Sequence, residues 1–394
     1  MPGSLTPTQH EHLVHLASWM PFARAAELLE RLLGVQVSAT TVRRFTEAAG
    51  ATLEQVQTEA LQQTQEREAP TRPPEKQLVF SVDGAYVPLL KGEWAEVRTL
   101  AIGAVAALPG PTDQDVPTRD WSYFSRLSDA AIFAEVAQVE TRRRGVTEAQ
   151  QVCAVTDGAD WIQGFIDLHR PDALRILDFP HAAQRLGAIA DLYAQAGQPL
   201  PEEWVHQQCH HLKHQGPDDV LETLRALSVP DRVAQAFQEH VQYLEKRRAV
   251  MDYPTSRQQG WPIGSGSVES ANKRVMQARL KGAGMRWERA HVNPMLALRT
   301  AVCNERWDES WHVIRQTVAR QRMQRRQQRA FSRLVQLLAR LMLLVVRFRP
   351  QSSSPPPPRL PPAPPATLPG SCRPSPHHPW KRAIISPAKR CAKI

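Results

Sequence analysis

Residues 76–178 alternate between apolar stretches with the two-residue period of strands and stretches with the 3.6-residue period of helices. Short connections join the first strands, and helices join the later ones. This order predicts a mixed sheet in a fold of the α+β or α/β class. The predicted strands are 77–82, 86–90, 95–106, 121–127, 151–156 and 173–177, and the helices between them are 130–142 and 158–169.

The sequence around this region predicts a chain of several parts. A helical N-terminal region over 1–68 ends at the proline-rich linker 69–75. The next domain spans 76–305, and inside it residues from about 180 to 260 lose the strand pattern and look helical. We therefore expect a sheet domain that carries a helical insertion.

The C-terminal part is basic and then proline-rich. A basic helical region is predicted over 306–349, and in the tail over 350–394 prolines are so frequent that we expect disorder. The longest apolar run, Leu334–Val346, is too short to span a bilayer and is interrupted by Arg340. We interpret it as a helix packed in a core or against a partner, and we expect no membrane association.

The cysteines and the N-terminal sequence indicate in which cellular compartment the protein resides. Five cysteines are scattered through the chain without a CxxC pair, which favours a reducing environment over a disulfide framework or a cysteine-based zinc site. No basic start followed by an apolar run marks a signal peptide. These features predict a cytoplasmic protein, associated with the bacterial nucleoid if it binds DNA.

Residues 23–49 have the outline of a helix-turn-helix. Gly34 ends a first helix, and Ser38 can cap a second one that would enter the major groove of DNA. Any helical hairpin gives a similar outline, so DNA reading is one of two interpretations. The residues that would read DNA are Thr40, Thr41, Arg43 and Arg44.

Charge is divided unevenly along the chain. Residues 271–394 contain 25 Lys and Arg against 4 Asp and Glu, a net charge of +21, whereas residues 1–270 contain 24 against 35, a net charge of −11. Such polarity favours a half that binds a polyanion. The alternative is a basic tail that only improves solubility.

Three carboxylates have the placement that a metal site needs. Asp83 and Asp157 each follow a predicted strand and precede a glycine, and Glu269 begins a helix after the loop WPIGSGS. Ligands gather where strands end in sheet folds, so the two aspartates are expected to meet. Taken singly, each aspartate also fits an ordinary Asp-Gly turn, and Glu269 fits a helix-dipole residue.

Carboxylates suit phosphodiester chemistry. Mg²⁺ prefers hard oxygen ligands and keeps several waters, so a few carboxylates suffice, and Mn²⁺ is an alternative. Two ions about 4 Å apart activate the attacking oxygen and stabilise the leaving one. Without cations, three clustered carboxylates would repel each other and raise each other's pKa. We therefore predict two bound metal ions.

Three segments carry a resemblance to a known family. They are SVDGAYVPLLKGEWAEVRTLAIGAV, AVTDGADWIQGFIDLHRPDALRILDFPHAAQRL and WPIGSGSVESANKRVMQARLKGAGMRW. Together they resemble the DDE transposases of bacterial insertion sequences, of the ISKra family, over roughly residues 10–310. The third segment is the most specific of the three.

The resemblance implies a ribonuclease H-like catalytic domain, whose strand and helix order the sequence also shares. It implies that Asp83, Asp157 and Glu269 are the catalytic, metal-binding triad. The segment DFPH also resembles the Asp-x-x-His signature of Mutator-like transposases, which places Asp178 and His181 near the site as supporting residues. In isolation, Asp178 also fits a helix cap and His181 an ordinary helix residue.

Basic residues cluster after Glu269. Asn272, one turn later, is a candidate for contact with a metal-bound water or DNA, and Trp287 fits base stacking or, more readily, core packing. The helical histidines His206, His210 and His214 lack a carboxylate partner, so a solvated or DNA-facing helix is favoured over zinc. The candidates for holding DNA phosphates are Lys273, Arg274, Arg279, Lys281, Arg286 and Arg289.

These observations predict an enzyme that cuts and joins double-stranded DNA at the ends of an insertion sequence. Its partners would be the terminal repeats, the target DNA and further copies of itself, in a homodimer or larger assembly. The main alternative is a truncated, inactive transposase that acts only as a DNA-binding protein or repressor, since relatives often begin further upstream. A ribonuclease H-like nuclease that cuts without joining is a second alternative.

Overall fold

A computed structural model describes residues 5–63, 75–106 and 116–347 of the chain. The predicted tail over 350–394, and the predicted linker except for its last residue, lie outside the described residues. The chain divides into two units, Met1–Gln328 and Arg329–Ile394. Within the described ranges, no helix combines the length and the apolar character that crossing a membrane requires.

A five-stranded mixed sheet forms the centre of the first unit. Its strand order is β3-β2-β1-β4-β5. The first three strands are antiparallel, and β4 and β5 run parallel to β1. The predicted mixed α+β architecture is thereby confirmed. The strands are β1 (Gln77–Pro88), β2 (Trp94–Val105), β3 (Thr118–Arg126), β4 (Gln151–Thr156) and β5 (Leu174–Leu177).

Strand β1 is longer than the sequence predicts. We expected a turn at Gly84, but β1 stays paired with β2 from Leu78 opposite Ala104 to Pro88 opposite Trp94. A Cβ at Gly84 would lie 2.2 Å from the Glu96 carboxylate, so the glycine permits a close cross-strand approach. Asp83 therefore lies within a strand and not at its end.

Helices cover both faces of the sheet, following the two-residue alternation of β1. Phe80 packs with Phe133 and Phe165 on one face, and Val79 packs with Leu186 and neighbouring residues on the other. The helical insertion predicted near 180–260 thus covers one face of the sheet. These helices are α4 (Ala130–Arg143), α5 (Asp160–His169), α6 (Phe179–Gln195), α7 (Trp204–His214), α8 (Pro217–Ala226), α9 (Ala234–Lys246) and α10 (Tyr253–Gln258), with short 3₁₀ turns at Leu90–Gly92, Asp231–Val233 and Arg248–Val250.

The N-terminal region consists of α1 (Pro7–Trp19), α2 (Phe22–Leu33) and α3 (Ala39–Gln63). Gly34 ends α2 in the left-handed conformation, and the Ser38 hydroxyl accepts a hydrogen bond from a backbone N–H in the first turn of α3, as the sequence predicts. The second helix does not end at residue 49, where the predicted helix-turn-helix outline ends, because α3 continues through Gly50.

Gly50 is a packing position. A Cβ there would lie 2.2 Å from the carbonyl oxygen of Pro294, which belongs to helix α13 (Arg289–Cys303). Leu13, Leu29 and Val42 of the N-terminal helices also share one core with Leu298 of α13. The N-terminal region therefore packs with the C-terminal helices of the same unit and does not form a separate core.

The segment around Glu269 is a helix with an irregular middle. It begins as α11 (Gly266–Ala271), widens into a π-helical segment (Asn272–Gln277), and ends as α12 (Ala278–Leu280). After α13, the chain ends its described part with the long helix α14 (Trp307–Arg347). π-Helical segments occur mostly as single turns and often at functional sites.

Candidate active site

Asp83 lies in β1, and Asp157 directly follows the neighbouring strand β4. The parallel pairing of β1 and β4 extends to Phe80 opposite Ala154, three residues before each aspartate. The same register, continued, places Asp83 beside Asp157. Since residues at one level of a parallel sheet point to the same face, the two side chains are directed to one place.

Asp178 extends this row to a third strand. Strands β4 and β5 pair Thr156 with Leu177, and the next residues along each strand are Asp157 and Asp178. The backbone N–H of Asp178 also donates to the carbonyl oxygen of Thr156, at 2.7 Å. The row therefore consists of Asp83 within β1 and of Asp157 and Asp178 directly after β4 and β5.

The Asp83 carboxylate is partly buried and has two donors. The N–H of Gly84 donates to Oδ1 at 2.7 Å, and Nδ2 of Asn272 donates to Oδ2 at 2.9 Å. Burial raises the pKa of Asp83; the Gly84 hydrogen bond opposes this rise, Asp157 adds to it, and His181 and Asn272 oppose it. The charges of both Asp157 and His181 therefore act on the Asp83 carboxylate.

Asp178 holds His181. Its carboxylate, 2% exposed, accepts hydrogen bonds from the imidazole Nδ1 of His181 and from the backbone N–H of Ser265. The hydrogen bond to Asp178 raises the pKa of His181; burial opposes that rise, and the charges of Asp178, Asp157 and Asp83 support it. The protonated imidazole is therefore favoured beside the aspartates, and both predicted supporting residues lie at the site.

The loop after the helical insertion is tied to the end of β5. The N–H of Phe179 donates to the carbonyl oxygen of Ile263 at 2.9 Å, and the N–H of Ser265 donates to Asp178. These two bonds bring the start of α11 to the row of aspartates. This is how a residue as distant in sequence as Asn272 reaches Asp83.

The third predicted carboxylate does not contact the other two. Glu269 is exposed for 68% of its side chain, and its Oε1 lies 2.7 Å from Nζ of Lys273. Asn272, three residues later and on nearly the same helix face, is buried, and its Oδ1 has no hydrogen-bond partner. The role of Glu269 as a ligand stays a prediction, whereas Asn272 is placed where we expected.

The π-helical segment is supported by a buried arginine. Arg299 of α13, 1% exposed, donates from Nε to the carbonyl oxygen of Val275 at 3.0 Å, and also to the carbonyl of Arg274. A third bond, from Nη1 to the carbonyl of Ser18, measures 3.1 Å. A π-helix leaves carbonyls without their usual i+4 partners, and Arg299 supplies these donors.

Two residues of the insertion support the Asp157 turn and were not predicted. The Tyr243 hydroxyl donates to the Asp157 carbonyl at 2.6 Å, and Nη2 of Arg247 donates to the Gly158 carbonyl at 2.7 Å. The guanidinium of Arg247 also lies over the Tyr243 ring, 3.8 Å from its centroid. Hydrogen bonds from a helix side chain to a distant backbone carbonyl do not change the apolar pattern of the helix, so the sequence gave no signal for these two residues.

The prediction that Arg279 holds DNA phosphates is wrong. Arg279 is only 2% exposed; its Nε donates to the Ala17 carbonyl at 2.9 Å, and its guanidinium lies over the rings of Phe22 and Trp287. Burial lowers its pKa to about 10. Trp287 is buried too, which supports its core-packing interpretation. The other predicted residues of this group are exposed, namely Lys273, Arg274, Lys281, Arg286 and Arg289.

The predicted DNA-reading residues of α3 are accessible. Thr40, Arg43 and Arg44 are exposed, and Thr41 is half-buried with its hydroxyl 3.0 Å from that of Ser38. Arg43 lies near Glu47, with 3.9 Å between Nε and Oε1. The surface is thus available for a partner, and its use for DNA stays a prediction.

Metal ligands are not assembled in groups of three. Among the described residues, no cluster of three or more His, Cys, Asp or Glu side chains could hold a metal ion. This applies to the histidines of α7, where His210 and His214 contact each other. Two carboxylates, Asp83 and Asp157, and the unpartnered oxygen of Asn272 are the oxygen donors that the site offers.

Comparison with known proteins adds no family. No protein-family model matches the chain, and no curated protein matches it either. The functional argument therefore depends on the residues and their geometry.

Proposed function

We propose that this protein is a DDE-type transposase that cleaves and joins DNA at the ends of an insertion sequence. The observation that carries the proposal is the proximity of two carboxylates: Asp83 lies in β1, Asp157 directly follows the parallel strand β4, and burial together with the charge of Asp157 raises the pKa of Asp83. The strand order β3-β2-β1-β4-β5, with an antiparallel first half, is compatible with the ribonuclease H-like fold that the sequence resemblance implies. A nearby helix carrying Glu269 supports the same reading.

The residues at this site fit a hard divalent cation. Asp83 and Asp157 would hold it, and the buried Oδ1 of Asn272, which lacks a partner, would accept a hydrogen bond from a coordinated water. Burial and the Asp157 charge raise the pKa of Asp83. A raised pKa is expected for two neighbouring carboxylates whose charges a cation does not neutralise. When bound, Mg²⁺ would act as a Lewis acid that makes the phosphorus of the DNA strand more electrophilic during cleavage and strand transfer.

The protein's own groups would orient this chemistry. Asp178 fixes the His181 imidazole through Nδ1, which leaves Nε2 to carry the other proton of the charged ring. The raised pKa of His181 favours the charged imidazolium, a donor suited to a phosphate oxygen of the bound strand. Tyr243 and Arg247 hold the turn after Asp157, which keeps that carboxylate in place.

Glu269 would complete the site by a side-chain rotation. It lies one helical turn before Asn272, whose amide already contacts Asp83. Its present partner is Lys273 in an exposed ion pair, which is worth less than about 1 kcal/mol. DNA phosphate near Lys273 would compete for that lysine and release the glutamate. This step joins DNA binding to assembly of the third carboxylate.

The test is strand cleavage of the element's terminal repeats in the presence of Mg²⁺. We expect cleavage and joining by the wild-type protein, and loss of both in Asp83→Asn, Asp157→Asn and Glu269→Gln. Asp160→Asn, an exposed aspartate three residues after Asp157, is the matched control and should retain activity. If the three site variants cleave as well as this control, the assignment is wrong.

A second candidate is a DNA-binding protein without catalysis. The observation that favours it is the outward position of Glu269 in its pair with Lys273. Such a protein would bind the terminal repeats equally well with and without Mg²⁺ and would leave them uncut. Cleavage without joining would instead indicate a nuclease, and strand-transfer products on a target plasmid separate these cases.

A further inference from the structure

A cavity of about 520 Å³ lies between the sheet, the inserted helices and the loop that precedes α11. Its described lining comes from β1 and β3, from the last turns of α7 and α10, and from residues on both sides of Ser265. A cavity of this size falls within the range of about 300–1,000 Å³ that small-molecule sites occupy. The lining residues are distinct from the aspartates of the candidate site, although one of them, Phe179, directly follows Asp178.

Aromatic rings form part of the cavity wall. Trp121 of β3, Phe179 of α6 and Trp261 of the loop all line it. A Cβ at Gly103 of β2 would lie 2.8 Å from the Trp121 ring, so the glycine lets this indole lie against the sheet. Trp261 is only 3% exposed and belongs to the core that the inserted helices form with the sheet. Both indoles are therefore held in place before a ligand arrives, which favours stacking of a planar ring.

Two cationic side chains line the same cavity. Lys213 lies near the end of α7 and Arg257 near the end of α10, and both are half-buried. Nη1 of Arg257 lies 3.5 Å from Nδ1 of His214, the chain neighbour of Lys213, so the two helix ends meet at one wall. None of the described residues that line the cavity is acidic. The described lining therefore carries a net positive charge, which favours an anionic group.

The rings and the cations together define the class of ligand. A purely apolar ligand would displace water from the two cations without bringing a compensating charge, which costs free energy. An amine would be repelled, and a small inorganic anion would leave the aromatic wall in contact with water. An aromatic base joined to a phosphate matches both features, because the base stacks on an indole while the cations hold the phosphate. Thr118 and Ser267 add hydroxyl groups that can bond to the base edge or the sugar.

We infer that this cavity binds a nucleotide, with its base against Trp121 and Trp261 and its phosphate at Lys213 and Arg257. A free mononucleotide and an unpaired nucleotide of a DNA strand share this chemistry. The place suits both sources, because Ser267 of the lining lies two residues before Glu269. Nucleotide binding here does not depend on the proposed transposase function. If the source is a DNA strand, the cavity gives that function a further contact with the bound strand.

Titration of the full-length protein with dAMP in the presence of EDTA tests the inference. EDTA removes divalent cations, so that dAMP cannot bind through a metal ion at Asp83 and Asp157. We expect calorimetry to show a single site per chain, and bound dAMP to quench tryptophan fluorescence. Deoxyadenosine, which lacks the phosphate, and deoxyribose 5-phosphate, which lacks the base, should each bind at least about tenfold more weakly.

Variants assign the binding to the cavity. The double variant Lys213→Gln, Arg257→Gln should weaken dAMP binding at least about tenfold, because the phosphate loses both charged contacts. The matched control Lys246→Gln, Arg248→Gln removes the same charge from exposed residues of the insertion that do not line the cavity, and it should bind dAMP like the wild type. Trp121→Leu should weaken the binding of dAMP but not that of deoxyribose 5-phosphate.

Competition identifies the source of the nucleotide. Displacement of dAMP by a single-stranded oligonucleotide would identify a DNA strand, and dAMP binding that resists displacement would identify the free nucleotide. Absence of dAMP binding up to millimolar concentration would overturn the inference. Equal affinity for dAMP and deoxyribose 5-phosphate, or unchanged binding in Lys213→Gln, Arg257→Gln, would overturn it too. These measurements require no cleavage, so a failure of this site is distinguishable from a failure of the proposed transposase.

Discussion

The candidate site has two halves that are held in different ways. The strand-borne half consists of Asp83 in β1 and of Asp157 and Asp178, which directly follow β4 and β5. The helix-borne half consists of Asn272 and Glu269, on α11 and the π-helical segment that follows it. Backbone ladders fix the first half, whereas one side-chain hydrogen bond from Asn272 connects the second half to it.

This difference suggests a division of labour. Asp83 lies inside a packed sheet, and Asp157 and Asp178 directly follow the strands beside it, so these aspartates are preorganised. A glutamate on an exposed helix face, paired only with Lys273, changes rotamer at little cost. We therefore expect the strand-borne half to be set before DNA binds, and the helix-borne half to be completed by DNA.

The largest expected effect is a difference in metal binding between variants of the strand-borne half and variants of the helix-borne half. In DNA-free protein, Asp157→Asn should abolish Mn²⁺ binding measured by electron paramagnetic resonance, whereas Glu269→Gln should leave it unchanged. With DNA present, both variants should lower cleavage by at least about 10³-fold, the range found when a member of a catalytic unit is removed. Loss of Mn²⁺ binding in Glu269→Gln without DNA would remove the distinction.

The second prediction concerns the support of the helix-borne half. Arg299→Met should lower the free energy of unfolding by about 3 kcal/mol, because three buried carbonyls lose their donor. Urea denaturation measures this. Arg289→Met, an exposed arginine of the same helix, should stay within about 0.5 kcal/mol of wild type. Equal losses in both variants would contradict the role given to Arg299.

The third prediction concerns a residue outside both halves: His169 of α5, which hydrogen-bonds Thr141 and the Ala134 carbonyl of α4. Burial lowers the pKa of His169 to about 4; its hydrogen bond with the Ala134 carbonyl opposes this, and Arg142 adds to it. The unfolded chain binds the proton near pH 6.5, so stability falls as the pH drops from 6.5 toward 4. Between pH 7 and pH 5 we expect this histidine to cost about 2 kcal/mol.

Comparison with His169→Gln isolates this contribution. Both proteins carry the same carboxylates, so the difference between their urea midpoints at the two pH values reports the imidazole alone. The variant should lose less stability than the wild type over the same interval. An identical pH dependence would show that His169 is not the titrating group.

The smallest effect tests whether Glu269 is adjustable. Lys273→Met should change the free energy of unfolding by less than about 0.5 kcal/mol, as expected for an exposed i, i+4 pair. The freed glutamate should nevertheless tighten Mn²⁺ binding several-fold in DNA-free protein. The double variant Lys273→Met, Glu269→Gln should lose that gain, and a gain that persists would point to another ligand.

Local pattern was enough to predict most elements of the sheet. The strand Gln151–Thr156 has the predicted bounds because alternating burial and flanking polar residues are local properties. Strand neighbours are not local, so the three-aspartate row followed only from the register of the structure. The sequence did hold a signal for it, because Thr156 and Leu177 are each followed directly by an aspartate.

Other features depended on distant contacts. Arg279 looked like a phosphate ligand because it lies among basic residues, and only the packing of Phe22 and Ala17 against it explains its burial. The predicted helix-turn-helix outline ends at residue 49, but α3 continues through Gly50, where Pro294 occupies the space beside the glycine. In both cases the deciding partner lies more than two hundred residues away in the chain.

The bond between Ser265 and Asp178 has a consequence for how this molecule can diverge. The chain leaves the sheet after Asp178 and returns at Ser265, so the inserted helices enter and exit at one point. Their outer loops can lengthen or shorten without changing the distance between the two ends, since these are already tied. Lineages could therefore remodel the insertion's outer surface repeatedly while Asp83, Asp157 and Asp178 keep their positions.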